Sequence, residues 1–396
     1  MRTAIIGGGA AGFFLAVNLK EKQPDMQVDL LEAGAKVLRK VKVSGGGRCN
    51  CTNTFEGVDN LQKVYPRGFR LMKRLFNVFD YKDAYEWFEK HGVPLVVQPD
   101  GCVFPEAQDS QAIINCLYGN AVRLGVNVVL GRRVRDYSEV SGYDFVAVTT
   151  GGSSSSDALS WIERLGHKTE KPLPSLFSFS VKEKSLNSLM GLVVESASVR
   201  IAGTKPLADG ALLITHWGFS GPAILRLSSY NAVALAENDY SMPLVVNWLS
   251  MNDEEVMAML TRMKNDNPRK QVVNTHPECL PTRLWEYLVQ RALGGDNGKR
   301  WCELGKKELN RMVCVLSNDN YKISGRAPFR DEFVTCGGVS LSSVNSSTLE
   351  SRHVENLYFA GEVLDIDGVT GGFNFQAAWT TAYKVAESIA EKCASR

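Results

Sequence analysis

A chain of 396 residues, 44% hydrophobic and 22% charged, has the make-up of a globular protein with two or three domains and a sizeable core. Its 45 basic residues against 43 acidic ones leave a formal net charge of +2, which removes any electrostatic case for nucleic acid or an anionic membrane as partner. No run of 18 or more apolar residues is present to span a bilayer, and the first residues lead straight into a strand, so a cytoplasmic protein with no membrane partner is expected.

The N-terminus reads as a βαβ unit. Thr3 to Gly7 is a short buried strand, Ala10 to about Lys22 a helix, and Gln27 to Glu32 a second strand. The turn between strand and helix carries Gly7-x-Gly9-x-x-Gly12. In such a turn the first glycine allows the tight bend, the second admits a pyrophosphate to the backbone, and the third lets helix and strand pack closely. Glu32 falls twenty residues after Gly12, where a carboxylate can accept from a ribose diol. An adenine dinucleotide is therefore expected here, and at this point NAD and FAD are both open.

Residues 42 to 53, KVSGGGRCNCTN, follow with three glycines, an arginine, two cysteines and two asparagines. The nine cysteines of the chain show no C-x-x-C spacing, so reduced thiols are expected. Cys49 and Cys51 in extended backbone would point to opposite faces, away from disulfide geometry. Disulfide reductases space their flavin-facing pair C-x-x-x-x-C, and position 54 here is Thr54. The five histidines (His91, His167, His216, His276, His353) are isolated and no second cysteine cluster exists, so no metal site is expected. What remains is a cofactor loop: Gly45, Gly46 and Gly47 let backbone come close to a ligand, Arg48 offers a planar cation, and Asn50 and Asn53 offer amides. Arg39 and Lys40 upstream are candidates for balancing phosphate charge.

Two basic segments, 67 to 76 and 131 to 136, read as an amphipathic helix and the tip of a strand pair. Residues 144 to 152, DFVAVTTGG, form an apolar strand ending at Thr150 and Gly151, where bare backbone would meet a ligand at the carboxyl edge of a sheet. Between about 176 and 326 the βαβ alternation stops. Short strands (FSFSV, VVESASVRI, ALLIT) give way to helical stretches at roughly 253 to 264, 281 to 293 and 306 to 317. No second strand, glycine motif and helix unit occurs there, so a dedicated NAD(P)H domain is not expected and NAD(P)H would visit only transiently. His216 and Ser220 are the polar candidates for the substrate side. Finally an apolar strand runs into Gly361-Glu362, and Gly371-Gly372 opens a long C-terminal helix whose amides would stabilise the negative charge of a reduced flavin.

Taken together, these residues resemble the bacterial flavoprotein family that includes aminoacetone oxidase and the BaiN-type bile-acid reductases. The resemblance rests on Gly7 to Gly12, on Ser44 to Asn53, on Ala360-Gly361-Glu362 and on Asp367 to Asn374. Similar stretches at 215 to 225 and 334 to 341 carry it over nearly the whole chain. It implies an α/β fold: a Rossmann-like, glutathione-reductase-like FAD-binding domain split by an inserted domain, β-barrel-like and then helical. The implied boundaries are 1–176 and 327–396 for the FAD domain and 177–326 for the insert, β-rich to 249 and helical over 250–318.

The implied cofactor is FAD, with Gly7, Gly9, Ala11 and Gly12 at the pyrophosphate, Glu32 and Ala33 at the adenosine ribose, and Lys40 beside them. Val134 would touch the adenine through its backbone. Gly361, Glu362 and Gly371, Gly372, Phe373 and Asn374 would lie along the ribityl chain and the pyrimidine edge of the flavin. Cys51 departs from the small or apolar residue usual at its position and is not expected to be essential. The implied activity is hydride exchange between flavin and a small organic substrate, either as an oxidase yielding peroxide or as an NAD(P)H-fed reductase of an activated double bond. A flavoprotein with structural or sensing FAD and a partner-binding insert is the reading from another class.

Overall fold

The computed structural model describes residues 1–153, 156–295, 298–327 and 334–395. It divides into two compact units, one formed by Met1–Ser175 with Glu332–Arg396 and the other by Leu176–Asp331.

The first unit is built on a five-stranded sheet in the order Leu357–Phe359, Phe145–Val148, Arg2–Ile6, Gln27–Leu31, Asn127–Val129, every neighbouring pair parallel. Parallel strands need crossover connections, and the first crossover is the helix Ala10–Lys22. Ala11 through Lys20 are all buried, so this helix is enclosed on every side rather than amphipathic. The C-terminal helix Phe373–Ala394 and the helix Ser110–Arg123 both pack on it. Lys20 survives in that environment because its ammonium donates to the carbonyl of Met26 at 3.0 Å and to that of Pro24.

Smaller β elements flank the sheet. Thr52–Asn53, Cys102–Pro105 and Leu95–Val97 form a three-stranded antiparallel sheet, and Thr169–Pro174 pairs antiparallel with Thr335–Val339. Segment 67 to 76 is helical over Phe69–Leu75, as its periodicity predicts. The expected strand pair around 131 to 136 is not formed. Asn127–Val129 pairs only with Gln27–Leu31, and Gly131 at φ +68° turns the chain into a loop that still donates from Arg132 N to Glu32 O at 2.8 Å.

The second unit is a closed six-stranded barrel, in the order Val193–Ile201, Leu207–Thr215, Gly218–Ser220, Phe179–Val181, Asp319–Arg326, Pro243–Asn247. Closure removes exposed strand edges. A bulge between Val194 and Ala197 shifts the register, so Glu195 and Ser196 both face out before the alternation resumes at Ala197. Helices Asp253–Asp266, Thr282–Leu293 and Lys306–Ser317 lie where the sequence places them, the first opened by a reciprocal Asn252–Glu255 cap. Phe179, Leu212, Phe219, Trp248 and Trp285 anchor one continuous core in this unit.

Distant parts of the first unit are tied by a buried ion pair. Asp367 is fully buried and takes both Arg67 Nε and an Arg67 terminal nitrogen, while Ser175 Oγ donates to Asp367 Oδ2 at 2.9 Å. A bidentate guanidinium with a third donor is the arrangement in which a buried carboxylate is tolerated. Replacing Arg67 by Met strands that carboxylate, and urea denaturation of Arg67→Met should show a loss of about 3–5 kcal/mol. The double variant Arg67→Met/Asp367→Asn should recover part of the loss.

Candidate functional site

The glycine turn is built by mutual exclusion of side chains. Gly7, at φ +116°, lies so close to the end of the Phe145–Val148 strand that a Cβ on it would come 2.5 Å from Thr149 O. A Cβ on Gly12 would fall 2.0 Å from Gly7 O. Thr149 Oγ1 donates to Gly7 O at 3.0 Å and also faces Ile6 O at 3.1 Å, pinning the turn. At Gly9, by contrast, a Cβ would meet nothing within 4 Å, and this residue opens the helix without any side-chain cap. Open space in front of uncapped helix amides fits a pyrophosphate.

Glu32 stands beside this turn. Its Oε2 accepts from Gly8 N at 2.8 Å and its Oε1 from Gly34 N at 2.6 Å, which orients the carboxylate while leaving acceptor capacity on both oxygens. Ala33 is exposed next to it. The backbone of the 131 to 136 loop runs alongside through the Arg132–Glu32 bond and Gly131 N to Gly34 O at 3.1 Å, with Val134 buried two residues on.

Residues far apart in sequence meet at the next stretch. Lys40 Nζ donates to Glu362 Oε2 at 2.7 Å, and Glu362 Oε1 accepts from Thr335 N at 2.8 Å. Gly151 and Gly152 pass against that carboxylate, a Cβ on Gly152 falling 2.8 Å from Glu362 Oε1. Thr150 is exposed at the strand end. Gly361, at φ +78°, presses on the first helix, since a Cβ there would lie 2.8 Å from Ala11 Cβ. Its amide donates to buried Thr381 Oγ1 at 2.9 Å, so the C-terminal helix holds this contact.

The Ser44–Gly47 loop has left-handed backbone at Gly45 (φ +56°), Gly46 (φ +69°) and Gly47 (φ +88°), and Cβ atoms on the last two would meet nothing. Arg48 ties its loop to the 102–108 segment: Nε donates to Gly45 O at 3.2 Å, Nη1 to Gln108 Oε1 at 3.3 Å, and the guanidinium lies 4.3 Å from the Phe104 ring centre. Asn50, with its amide nitrogen donating to Thr52 O at 2.9 Å, accepts from Gly372 N at 3.2 Å. Asn53 Nδ2 donates to Gly371 O at 2.9 Å. Both asparagines thus fasten the loop to the opening of the C-terminal helix. Phe373 packs edge-on to Phe55 at 5.0 Å, and Asn374 exchanges two 2.8 Å bonds with Gly368, closing the 367–372 turn. These two serve the turn's shape.

Cys49 and Cys51 are fully buried and unpaired. Burial pushes the Cys49 thiol up to about 12 and raises the Cys51 thiol well above its ordinary value, so neither is a nucleophile at neutral pH. Cys51 is a core residue, its carbonyl accepting from Trp379 Nε1 at 2.8 Å.

Three contributors carry no motif in the sequence: Thr149, Thr381 and Arg67, the last paired with Asp367 at the head of the 367 to 374 segment. Thr149 was legible only as a strand end, Thr381 reaches Gly361 across 20 positions, and Arg67 reaches its partner across 300. Asp365, near that pair, accepts from Gly337 N at 3.2 Å, and burial together with the charge of Asp367 raises its carboxyl above the ordinary value. Among the described residues no group of histidine, cysteine and acid side chains could hold a metal. In the second unit His216 is exposed on a tight turn and Ser220 Oγ lies 2.6 Å from Ser178 Oγ.

Residues 1–388 match the family described as HI0933-like protein Rossmann domain. The chain belongs to this family. It is a flavin-dependent oxidoreductase. A relative from Escherichia coli K12, ribosomal RNA dihydrouridine synthase, is 29% identical over 97% of both chains. The 3-dehydro-bile acid delta(4,6)-reductase of Clostridium scindens is 26% identical over 99% of both. Among solved structures, 3-ketosteroid delta1-dehydrogenase from Sterolibacterium denitrificans shares the fold at a TM-score of 0.51 and 11% identity, over 98% of this chain and 99% of that one. Among the described residues no helix is long and apolar enough to cross a membrane.

Thiol accessibility checks the site directly. In the native protein, iodoacetamide followed by peptide mass mapping should label the exposed Cys279, Cys302 and Cys314 and leave Cys49 and Cys51 unmodified until urea is added. Early labelling of either buried thiol would revive a redox role for the pair.

Proposed function

We propose that this chain is an FAD-dependent reductase that saturates a carbon–carbon double bond conjugated to a carbonyl, with a uridine of ribosomal RNA as its substrate. One observation carries the reading: two relatives aligned along their full length bear names that describe one bond type on unrelated molecules. Dihydrouridine is uridine with the ring double bond, conjugated to the neighbouring carbonyl, reduced; a delta(4,6)-reductase of a 3-oxo compound acts on the same kind of unsaturation. Both are reductions, which favours the NAD(P)H-fed version over an amine oxidase. The higher identity of the E. coli relative favours the nucleobase.

Bound FAD would supply the hydride to the carbon β to the carbonyl, its electrons replaced from NAD(P)H. The protein's part is to hold and orient. The uncapped amides of Ala10–Lys22 and the open space at Gly9 suit the pyrophosphate, Glu32 the ribose diol, and Lys40 adds a cation already paired with Glu362. The start of Phe373–Ala394, which no side chain caps, directs partial positive charge toward the Gly371–Gly372 turn, where negative charge would gather. Asp365, half-buried and accepting from Gly337 N while Asp367 is locked to Arg67, is assigned the accompanying proton in this reading; burial and the charge of Asp367 raise its carboxyl above the ordinary value.

Anaerobic mixing with NADH or NADPH should bleach the flavin absorbance, and adding in vitro transcribed ribosomal RNA should restore it. Nucleoside mass spectrometry should then find dihydrouridine, two hydrogens heavier than uridine. Absence of bleaching with both cofactors ends the reductase reading; turnover of a 3-oxo-4,6-diene steroid but not of RNA ends the substrate assignment. Asp365→Asn should leave bleaching intact and slow the RNA-dependent step about a hundredfold or more, the lower end of what a general acid contributes.

A further inference from the structure

We infer that a groove in the first unit, separate from the glycine motifs, docks single-stranded RNA. The groove has a volume of about 540 Å³, within the ~300–1,000 Å³ usual for small-molecule sites. It is lined by Lys36, Arg39 and Lys42 and by apolar surface that includes Val43, Tyr118 and Leu130. None of the described lining residues is a carboxylate, in a chain whose 45 basic residues are otherwise matched by 43 acidic ones. The cations are therefore uncompensated where they stand. Lys42 Nζ donates to a neutral partner, Gln111 Oε1, at 3.2 Å.

The apolar lining is exposed to an unusual degree. Val43 is 61%, Leu130 50% and Tyr118 44% accessible, so apolar surface stands open to solvent beside the cations. Tyr118 lies on the helix Ser110–Arg123, its ring centre 5.8 Å from that of buried Phe13 in a tilted contact, and it remains 44% exposed. An apolar groove with an exposed aromatic ring and cations beside it matches one class of ligand, a chain of planar rings joined by phosphates: bases stack on the aromatic ring and the cations follow the backbone. An acidic peptide would satisfy the cations and leave Tyr118 unused. A second copy of this chain would have to bring matching acids.

This inference rests on RNA being the substrate, and it adds where the strand is gripped apart from the reacting base. The test uses the flavin-loaded protein and a fluorescein-labelled oligouridylate of about ten nucleotides, a length within the usual site size. Anisotropy should report binding whose affinity falls with salt at a log–log slope of about −2, from three phosphate contacts at about −0.7 each. Lys36→Glu/Lys42→Glu should flatten that slope and weaken binding at least tenfold at low salt, with the flavin spectrum unchanged. Tyr118→Ala should weaken binding about tenfold and leave the slope alone, which a purely electrostatic surface would not do.

Binding that neither variant alters overturns the groove, even where dihydrouridine is formed. Binding lost in the variants while no dihydrouridine forms upholds the groove and counts against the reaction. Sedimentation showing a dimer that Tyr118→Ala dissociates, with no oligouridylate bound, assigns the surface to a second copy and overturns the inference.

Discussion

Everything in the first unit turns on how closely bare backbone is allowed to approach bare backbone where the first helix begins. Gly12 sits against the Gly7 carbonyl, Gly7 against Thr149, and Gly361 against Ala11, each at a separation that a single methyl group would break. Three strands and two helices, from both ends of the chain, converge within those contacts. The result is a surface of amides and carbonyls with almost no side chain on it. Such a surface fits an elongated anionic cofactor because it offers hydrogen-bond donors at fixed positions and costs little conformational entropy to hold still.

Charged side chains then act in pairs around that surface. Lys40 with Glu362 and Arg67 with Asp367 each join segments about three hundred residues apart, and each carboxylate takes an additional donor, Thr335 N in one case and Ser175 Oγ in the other. The pairs differ in exposure. Lys40 is half exposed, so its ammonium can turn to a phosphate at small cost. Arg67 is mostly enclosed and its partner wholly so, which makes that pair a fixed tie.

Much of this was legible in the sequence because it is local. A glycine at fixed spacing between a strand and a helix, an acid twenty residues on, or a period of 3.6 in the insert are patterns within one short window, and the elements at Ala10–Lys22, Val193–Ile201, Thr282–Leu293 and Lys306–Ser317 follow them. The misreading at 131 to 136 has the same origin. Alternating residues look like a strand, but a strand needs a partner, and the parallel partner ends at Leu31. The side chains of Phe373 and Asn374 also shape the turn at Gly368 to Gly372, a task that no spacing reveals. Whole-chain charge is likewise a sum; a balance of 45 to 43 says nothing about three cations gathered on one groove.

The division of the first unit between the two ends of the chain has a consequence for its biosynthesis. The strand Leu357–Phe359 and the helix that covers the first helix are made last, so a nascent chain on the ribosome carries a sheet with one edge unpaired and an apolar helix with one side open. The barrel unit, contiguous from Leu176 to Asp331, has no such wait and can mature while the earlier residues remain unfinished. Translation order therefore makes the cofactor cradle wait for these late elements, and a truncation of even the last few turns of the C-terminal helix reaches back to the far end of the helix Ala10–Lys22.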